Sequence, residues 1–560
     1  MNISFVSVEN GITNLGFRKM AALARSVHPS TEVCYIPFNN TYNPLRFLMK
    51  PGQYGGSMYS DADLDGMASH LAKADLVCFS AMTAYSDLTK EIIQLIKKIR
   101  PKTYIVWGGI HPIVHPEDAI ECPDAICRGE GETAFKSFLS SFKEGSDYTS
   151  TKNFWFNHNG EIIRNNFLPL HTGEEMDQFP YMLYADNEKI FKSGKGFLPL
   201  KTNDYLSFFA TGNAYLTIWS IGCPYKCTYC ANTVFIENDK NYRKMRHPSV
   251  DYILAEVKNA LRAHLHLSCV YFLDDSFMAL SLDTIKEFCE KWRSEINIPF
   301  FVTGVIPIYV KKEKVELLVW AGMTRVRMGI QSGSERILDF YKRPNKPGLI
   351  NRSASILGSY KEYGLLCDYD IIIDNPVETR EDIIDTLNLL YNLKRPFNVN
   401  IFALRAIPNT ELADELLARS INITDIKTSY LSCAPTLANC MVYLVSTFKP
   451  PKRIYNYLLK YVKPFTEKQP HYPVIFIFIR ALWMFKRAYF HVKSFDLSIF
   501  PGRIGWVVFH SGISKFFKRK SPPAAFGPQP TVANLAPEDN LDIITTPTQG
   551  DDMKVSTTSV

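Results

Sequence analysis

A chain of 560 residues is about two to four times longer than one hydrophobic core supports, so two or three domains are expected. Its apolar fraction of 46% is that of a globular protein and excludes a disordered or fibrous chain. The 12 cysteines are scattered apart from one triplet, which argues against a secreted disulfide framework and for a reducing compartment, and the formal charge of +7 is a modest excess on this length. The run from Met1 to Val6 has neither a basic region nor a long apolar one, so no signal peptide and a cytoplasmic location are expected.

Residues 1–145 alternate between β-rich runs and helical apolar spacing. The runs are Ile3 to Val8, Val33 to Ile36, Leu76 to Ser80 and Tyr104 to Gly109, and the helical stretches are Leu15 to Val27 and Leu88 to Ile99. Such alternation predicts a doubly wound parallel sheet, which takes ligands beyond the carboxyl ends of its strands. At those ends stand Ser80-Ala81-Met82-Thr83 and Gly108-Gly109, where small residues allow a bulky ligand to approach the backbone. Residues 146–200 read as a connector that clamps two domains together, with a hairpin turn at His158-Asn159-Gly160.

From 201 to 425 the alternation resumes with six strand units, ending near Ser220, Leu273, Gly304, Ile330, Asp374 and Leu404. Six units predict an open, partial β/α barrel with its site at the carboxyl ends of the strands. Just after the first unit come Cys223, Cys227 and Cys230, in C-x3-C-x2-C spacing. Three close thiolates without a fourth Cys or His at finger spacing suit an iron–sulfur cluster with one open iron better than structural zinc. The alternative is three unrelated core cysteines. After the second unit come Asp274 and Asp275, readable either as ligand contacts or as caps of the next helix.

Residues 426–520 form a mainly helical, basic and aromatic region. Between 471 and 520 there are nine Lys or Arg and one acid, Asp496, for a net +8. Arg480 interrupts the longest apolar run, which is too short to span a bilayer. Arg480 and Arg487 share a helical face, so the segment suits lying on an anionic membrane with its aromatic side inserted; the alternative packs the apolar stripe on the barrel and leaves the basic side in water. No nucleic-acid-reading motif is found. Residues 521–560 are rich in Pro, Thr, Asp and Asn and are expected to be disordered.

The cysteine spacing, with Tyr229 just before the third cysteine, resembles the radical S-adenosylmethionine (SAM) superfamily. The N-terminal stretch resembles the cobalamin-binding domain of one class of that superfamily, on Ser80-x-Met82, Trp107-Gly108-Gly109-Ile110-His111-Pro112 and Arg128-Gly129-Glu130-Gly131-Glu132. One departure stands out: mutase-type cobalamin domains carry Asp-x-His-x-x-Gly in the first βα loop, and Glu9 to Gly16 contains no His. Bound cobalamin would then lack a lower His ligand; His111 and His115 lie in another loop. A cofactor-free docking sheet is the alternative for this domain.

The resemblance implies a 4Fe–4S cluster on Cys223, Cys227 and Cys230, SAM contacts at Tyr229, Asp274, Asp275, Gln331 and Ser332, and cobalamin contacts at Ser80, Met82, Thr83, Gly108, Gly109, Gly129 and Glu130. The usual Gly-Gly-Glu is replaced at 274–275, and Asp374 to Thr379 varies the family's Gly-x-Pro-Gly-Glu-Thr. The implied activity is a radical SAM methyltransferase using methylcobalamin and a 5′-deoxyadenosyl radical, fed by an external electron donor. A radical oxidoreductase or cyclase with the same cofactors is the second reading, and a non-catalytic cobalamin sensor or scaffold is the third. The character of residues 430–520 suggests a small-molecule substrate that is hydrophobic or lipid-like, and peripheral contact with the inner membrane through 471–520.

Overall fold

The computed structural model describes residues 1–38, 59–201, 214–263, 267–421 and 433–493, apart from residues 10, 13, 159, 183–186, 202 and 203. It also describes the isolated positions 204, 507 and 511. The expectations for the tail 521–560 lie outside the described residues, as do most of those for 494–520.

The N-terminal sheet is built on five parallel strands, β1 (Ile3–Glu9), β2 (Glu32–Pro37), β3 (Leu76–Ala81), β4 (Tyr104–Gly108) and β5 (Ala125–Cys127), in the order β2-β1-β3-β4-β5. β1 pairs with β2 through Phe5↔Val33 and with β3 through Phe5↔Cys78. These strands are buried along almost their whole length because helices cover both faces. The helix Leu15–Val27 starts where the apolar spacing predicts. Asn14 caps it by accepting from the Phe17 amide, and Phe17, Ala21 and Ala24 are buried. The helix Asp61–Leu71 begins on a reciprocal Ser60/Asp63 box.

Residues 154–199, expected as a connector, instead complete this sheet. β6 (Phe154–His158) and β7 (Glu161–Arg164) form an antiparallel hairpin beside β5, and β8 (Lys189–Lys192) and β9 (Gly196–Pro199) form another beside β2. The hairpins occupy both edges, which would otherwise expose unpaired backbone groups. The second hairpin also brings Glu188 to the fully buried Arg18 at 3.4 Å, so a charge from the helix Leu15–Val27 is neutralised inside the fold.

The second sheet holds six parallel strands in sequence order: β10 (Ala214–Thr217), β11 (Cys269–Phe272), β12 (Phe300–Val305), β13 (Met323–Gln331), β14 (Leu366–Ile373) and β15 (Asn398–Ala403). This is the open partial barrel that six units predict. Helices cover its outside, and one apolar cluster runs from Phe17 and Phe135 of the first unit to Trp219, Val257 and Phe288 of the second. The fold is α/β throughout, with a helical C-terminal region.

The helix Pro473–Lys493 packs part of its apolar surface on the barrel, as the second expectation has it, but turns basic residues inward as well instead of leaving them in water. Its buried face carries Phe476, Ile479, Arg480, Trp483 and His491. Arg487 donates to Asn400 at 2.7 Å and lies 3.5 Å from Asp368, and Lys486 donates to the carbonyls of Phe397 and Ser446 at 3.1 and 2.5 Å. The basic residues thus meet barrel carboxylates and carbonyls, while Val474, Ile475, Phe478, Phe485 and Tyr489 are turned to solvent. No described helix is long and apolar enough to cross a membrane.

Candidate functional site

The cysteine loop leaves β10 and is held on three sides. Ile221 pairs with Arg246 through two backbone hydrogen bonds of 2.8 and 2.9 Å. Gly222, at φ +110, lets the chain turn against the Lys244 carbonyl, where a Cβ would come within 2.4 Å. On the far side the Thr228 amide donates to the Tyr341 carbonyl at 3.2 Å, and the Tyr229 ring packs on Tyr341 at 4.9 Å. Cys223 and Cys227 are buried and Cys230 half-buried. Asp275 sits close enough to Cys223 and Cys230 to oppose their ionisation, adding to the larger effect of burial.

The two aspartates separate in role. Asp274 is turned inward and accepts from the Trp219 amide at 3.1 Å, the Ser220 amide at 2.7 Å and the Ser220 hydroxyl at 2.5 Å. Burial pushes it up to about 7 against those donors. It is a strut for the strand entering the cysteine loop, with both carboxylate oxygens engaged by Trp219 and Ser220. Asp275 faces the site, accepts from the Tyr242 hydroxyl at 3.0 Å and lines a cavity between the two sheets. Gly304, at φ +64, lets β12 pass the pair, since a Cβ there would lie 2.1 Å from the Asp274 carbonyl oxygen. Gln331 ends β13 at φ +71 with its amide over Gly329, whereas the Ser332 hydroxyl is turned away and bonds Thr386 at 3.1 Å.

That cavity, about 430 Å³, joins the two units. From the first sheet Ser80, Gly108, Gly109, Gly129 and Glu130 line it, and from the second Asn232, Tyr242 and Asp275. Met82, 43% exposed, and Thr83, buried at the start of a short turn, do not border it. The glycines differ. A Cβ at Gly108 meets nothing nearer than 3.9 Å and would simply fill cavity space, while Gly109 takes φ +96 and presses on the backbone of Ala81. Gly129 leaves room for the Asn153 side chain. The Glu130 side chain is committed to the domain interface. It bonds Arg246 at 2.6 Å and accepts from the His171 amide at 2.8 Å. Burial opposes its ionisation, but His171 and Arg246 outweigh burial and hold it at about 2.

The profile of the radical SAM superfamily matches residues 217–390, and that of the B12 binding domain matches residues 57–139. The chain pairs a B12-binding domain with a radical SAM domain. An uncharacterized methyltransferase of Pyrococcus horikoshii is 24% identical over 368 residues, 65% of this chain and 74% of that protein. The anaerobic magnesium-protoporphyrin IX monomethyl ester cyclase of Synechocystis sp. is 22% identical over 344 residues, 60% of this chain and 63% of the cyclase. Among solved structures, the cobalamin-dependent SAM radical enzyme OxsB with aqua-cobalamin bound has a TM-score of 0.57 at 15% identity, over 91% of this chain and 75% of that one. The radical SAM methyltransferase TsrM of Kitasatospora setae with cobalamin and [4Fe–4S] cluster has a TM-score of 0.54 at 16% identity, over 75% of each chain.

The chain is therefore a radical SAM enzyme, which takes a 4Fe–4S cluster and SAM, with a B12-binding domain for cobalamin. The residues present fit these groups. Around the radical SAM site the buried Ser276 Oγ, Arg343 Nε and Asn345 Oδ1 have no hydrogen-bond partner among the described residues, as expected where a polar cofactor completes the set. In the B12-binding domain the open space at Gly108 and the apolar slot of Phe5, Phe17, Met20 and Phe135 are offered to a large planar ligand. Sequence reasoning did not find Tyr242, Arg246 or Arg343; they are far from the cysteine motif or lie in runs without a pattern, and no local signal marks them.

Proposed function

We propose that the protein is a methyltransferase that moves a methyl group onto a carbon of a hydrophobic, lipid-like small molecule, with electrons from an external donor. The observation that supports this most is the single cavity bordered by Ser80 and Gly108 on one side and Asp275 and Tyr242 on the other, because methyl transfer needs both cofactor sites to face one substrate. When bound, the cluster and SAM supply a carbon-centred radical and cobalamin supplies the methyl group.

The chain's own residues orient and shield. Asp275, which accepts from Tyr242, would accept from the amino group of SAM. The Glu130–Arg246 pair keeps the two units at one separation, and the aromatic lining of the cavity excludes water. Similarity to a protein named a methyltransferase favours methyl transfer; similarity to a protein named a cyclase keeps cyclisation as the second reading.

The substrate class rests on the exposed apolar stripe of Val474, Ile475, Phe478, Phe485 and Tyr489, with Ile454 and Tyr457 exposed on the preceding helix Lys452–Leu459 and Tyr461 exposed in the turn after it. Such a surface is costly in water and suits the acyl region of a bilayer from which a lipid-like substrate is drawn. Because Arg480, Lys486 and Arg487 are used inside the fold, attachment through this stripe is expected to depend little on salt. The test of activity is anaerobic reconstitution with cobalamin, a reductant and methyl-labelled SAM. Label is expected in a new product, and 5′-deoxyadenosine formation with label retained in SAM or cobalamin would exclude methyl transfer.

A further inference from the structure

Arg343 lies in the turn after the helix Glu335–Phe340, 116 residues from Cys227, yet its Nη1 donates to the Cys227 sulfur at 3.5 Å. Its Nη2 donates to the Gly329 carbonyl at 3.1 Å, and Asn345 Nδ2 donates to the same oxygen at 3.2 Å. Among the described residues no carboxylate pairs with this guanidinium, and its Nε is buried without a partner. Its place exists because residue 329 has no side chain: a Cβ there would come within 2.6 Å of Arg343 Nη2. A cation is thus held against one ligand sulfur by a backbone carbonyl and a missing side chain.

We propose that Arg343 is a positioning residue of the iron–sulfur centre, whose guanidinium bonds the Cys227 sulfur and raises the reduction potential of the cluster. The proposal rests on the cluster standing on Cys223, Cys227 and Cys230. Reduction adds one electron, and its negative charge is spread over the ligand sulfurs; an N–H···S bond from a cation stabilises that charge more than it stabilises the oxidised form. An unpaired guanidinium does this more strongly than one already neutralised by a carboxylate.

The test is a redox titration of the anaerobically reconstituted full chain, with dithionite as the one-electron reductant and the paramagnetic reduced cluster as the readout. Arg343→Gln is expected to lower the equilibrium constant for reduction about tenfold, a shift of about 59 mV to more negative potential, with iron and sulfide per chain unchanged. Arg343→Lys keeps the charge without the planar donor pair and is expected to shift less. Gly329→Ala displaces the guanidinium without removing it and is expected to shift in the same direction; with Arg343→Lys it carries the test if Arg343→Gln loses the cluster. A loaded cluster whose potential is unchanged or raised in these variants overturns this proposal alone. A wild-type chain that takes up no iron overturns the cluster assignment and this proposal with it.

Discussion

Replacing Glu130 by Gln removes one charge from the joint between the B12-binding and radical SAM domains while keeping the side chain's size. Glu130 lies 2.6 Å from Arg246 and 2.8 Å from the ring of His171, with a side-chain exposure of 19%. Its pKa is lowered from 4.5 to about 2, so folding stabilises the ionised carboxylate relative to the neutral one by about 3.5 kcal/mol at about 1.4 kcal/mol per unit. A neutral Gln forfeits an amount of that order, and Arg246, whose side chain is 11% exposed, is left near-buried with only neutral acceptors, the His171 carbonyl and the Gln amide oxygen. A cooperative unit of roughly 200 residues loses about 2–4 °C per kcal/mol, so the transition of the apo chain at pH 7 is expected to fall by about 7–14 °C. The sign with pH follows from the depressed value. The contribution is full above 4.5 and is lost as pH falls through 2, so the gap between the two proteins should narrow below pH 4.5. Calorimetry at pH 7 and pH 4 measures both. A drop under 2 °C at pH 7, or a gap that widens on acidification, would refute the reasoning.

Three further outcomes are expected. Asp274→Ala leaves the buried amides of Trp219 and Ser220 without their acceptor, at about 1–3 kcal/mol each; denaturant titration should show this destabilisation, and reconstituted iron should fall even though Asp274 touches no cysteine. Glu9, at the end of β1 on the cavity, is pushed up by burial to about 8. The native state therefore keeps a proton that the unfolded chain releases near 4.5, and stability should decline by up to about 1.4 kcal/mol per pH unit between those values. Glu9→Gln should flatten that decline in melting scans from pH 5 to 8, and a slope equal to wild type would show that Glu9 ionises freely. Finally, changing both Phe478 and Phe485 to Ser should abolish co-sedimentation with anionic liposomes and leave the melting temperature within about 2 °C, because both rings are exposed. Wild-type chain that remains in the supernatant at low and at high salt would remove the case for membrane attachment.

The elements and the cysteine spacing are legible in the chain alone, because both are local. Strand and helix periods follow from neighbouring residues, so Leu15 to Val27 and the six barrel strands stand where their patterns place them. The cysteine triplet needs only a loop to bring its sulfurs together. Tertiary structure decided what each face meets. Helical spacing puts Arg480 and Arg487 together but does not say whether that face meets water or Asp368 and Asn400, which lie some 90 to 120 residues upstream. The same holds for adjacent Asp274 and Asp275. Their backbone directs one toward Ser220 and the other toward Tyr242, where β12 passes close to both at Gly304. Arg343 was invisible because its only sign of function is a contact 116 residues away. A period records which residues share a side; the partner on that side is set by chain packing, where burying a charge is tolerable only if a distant carboxylate, carbonyl or cofactor is brought to meet it.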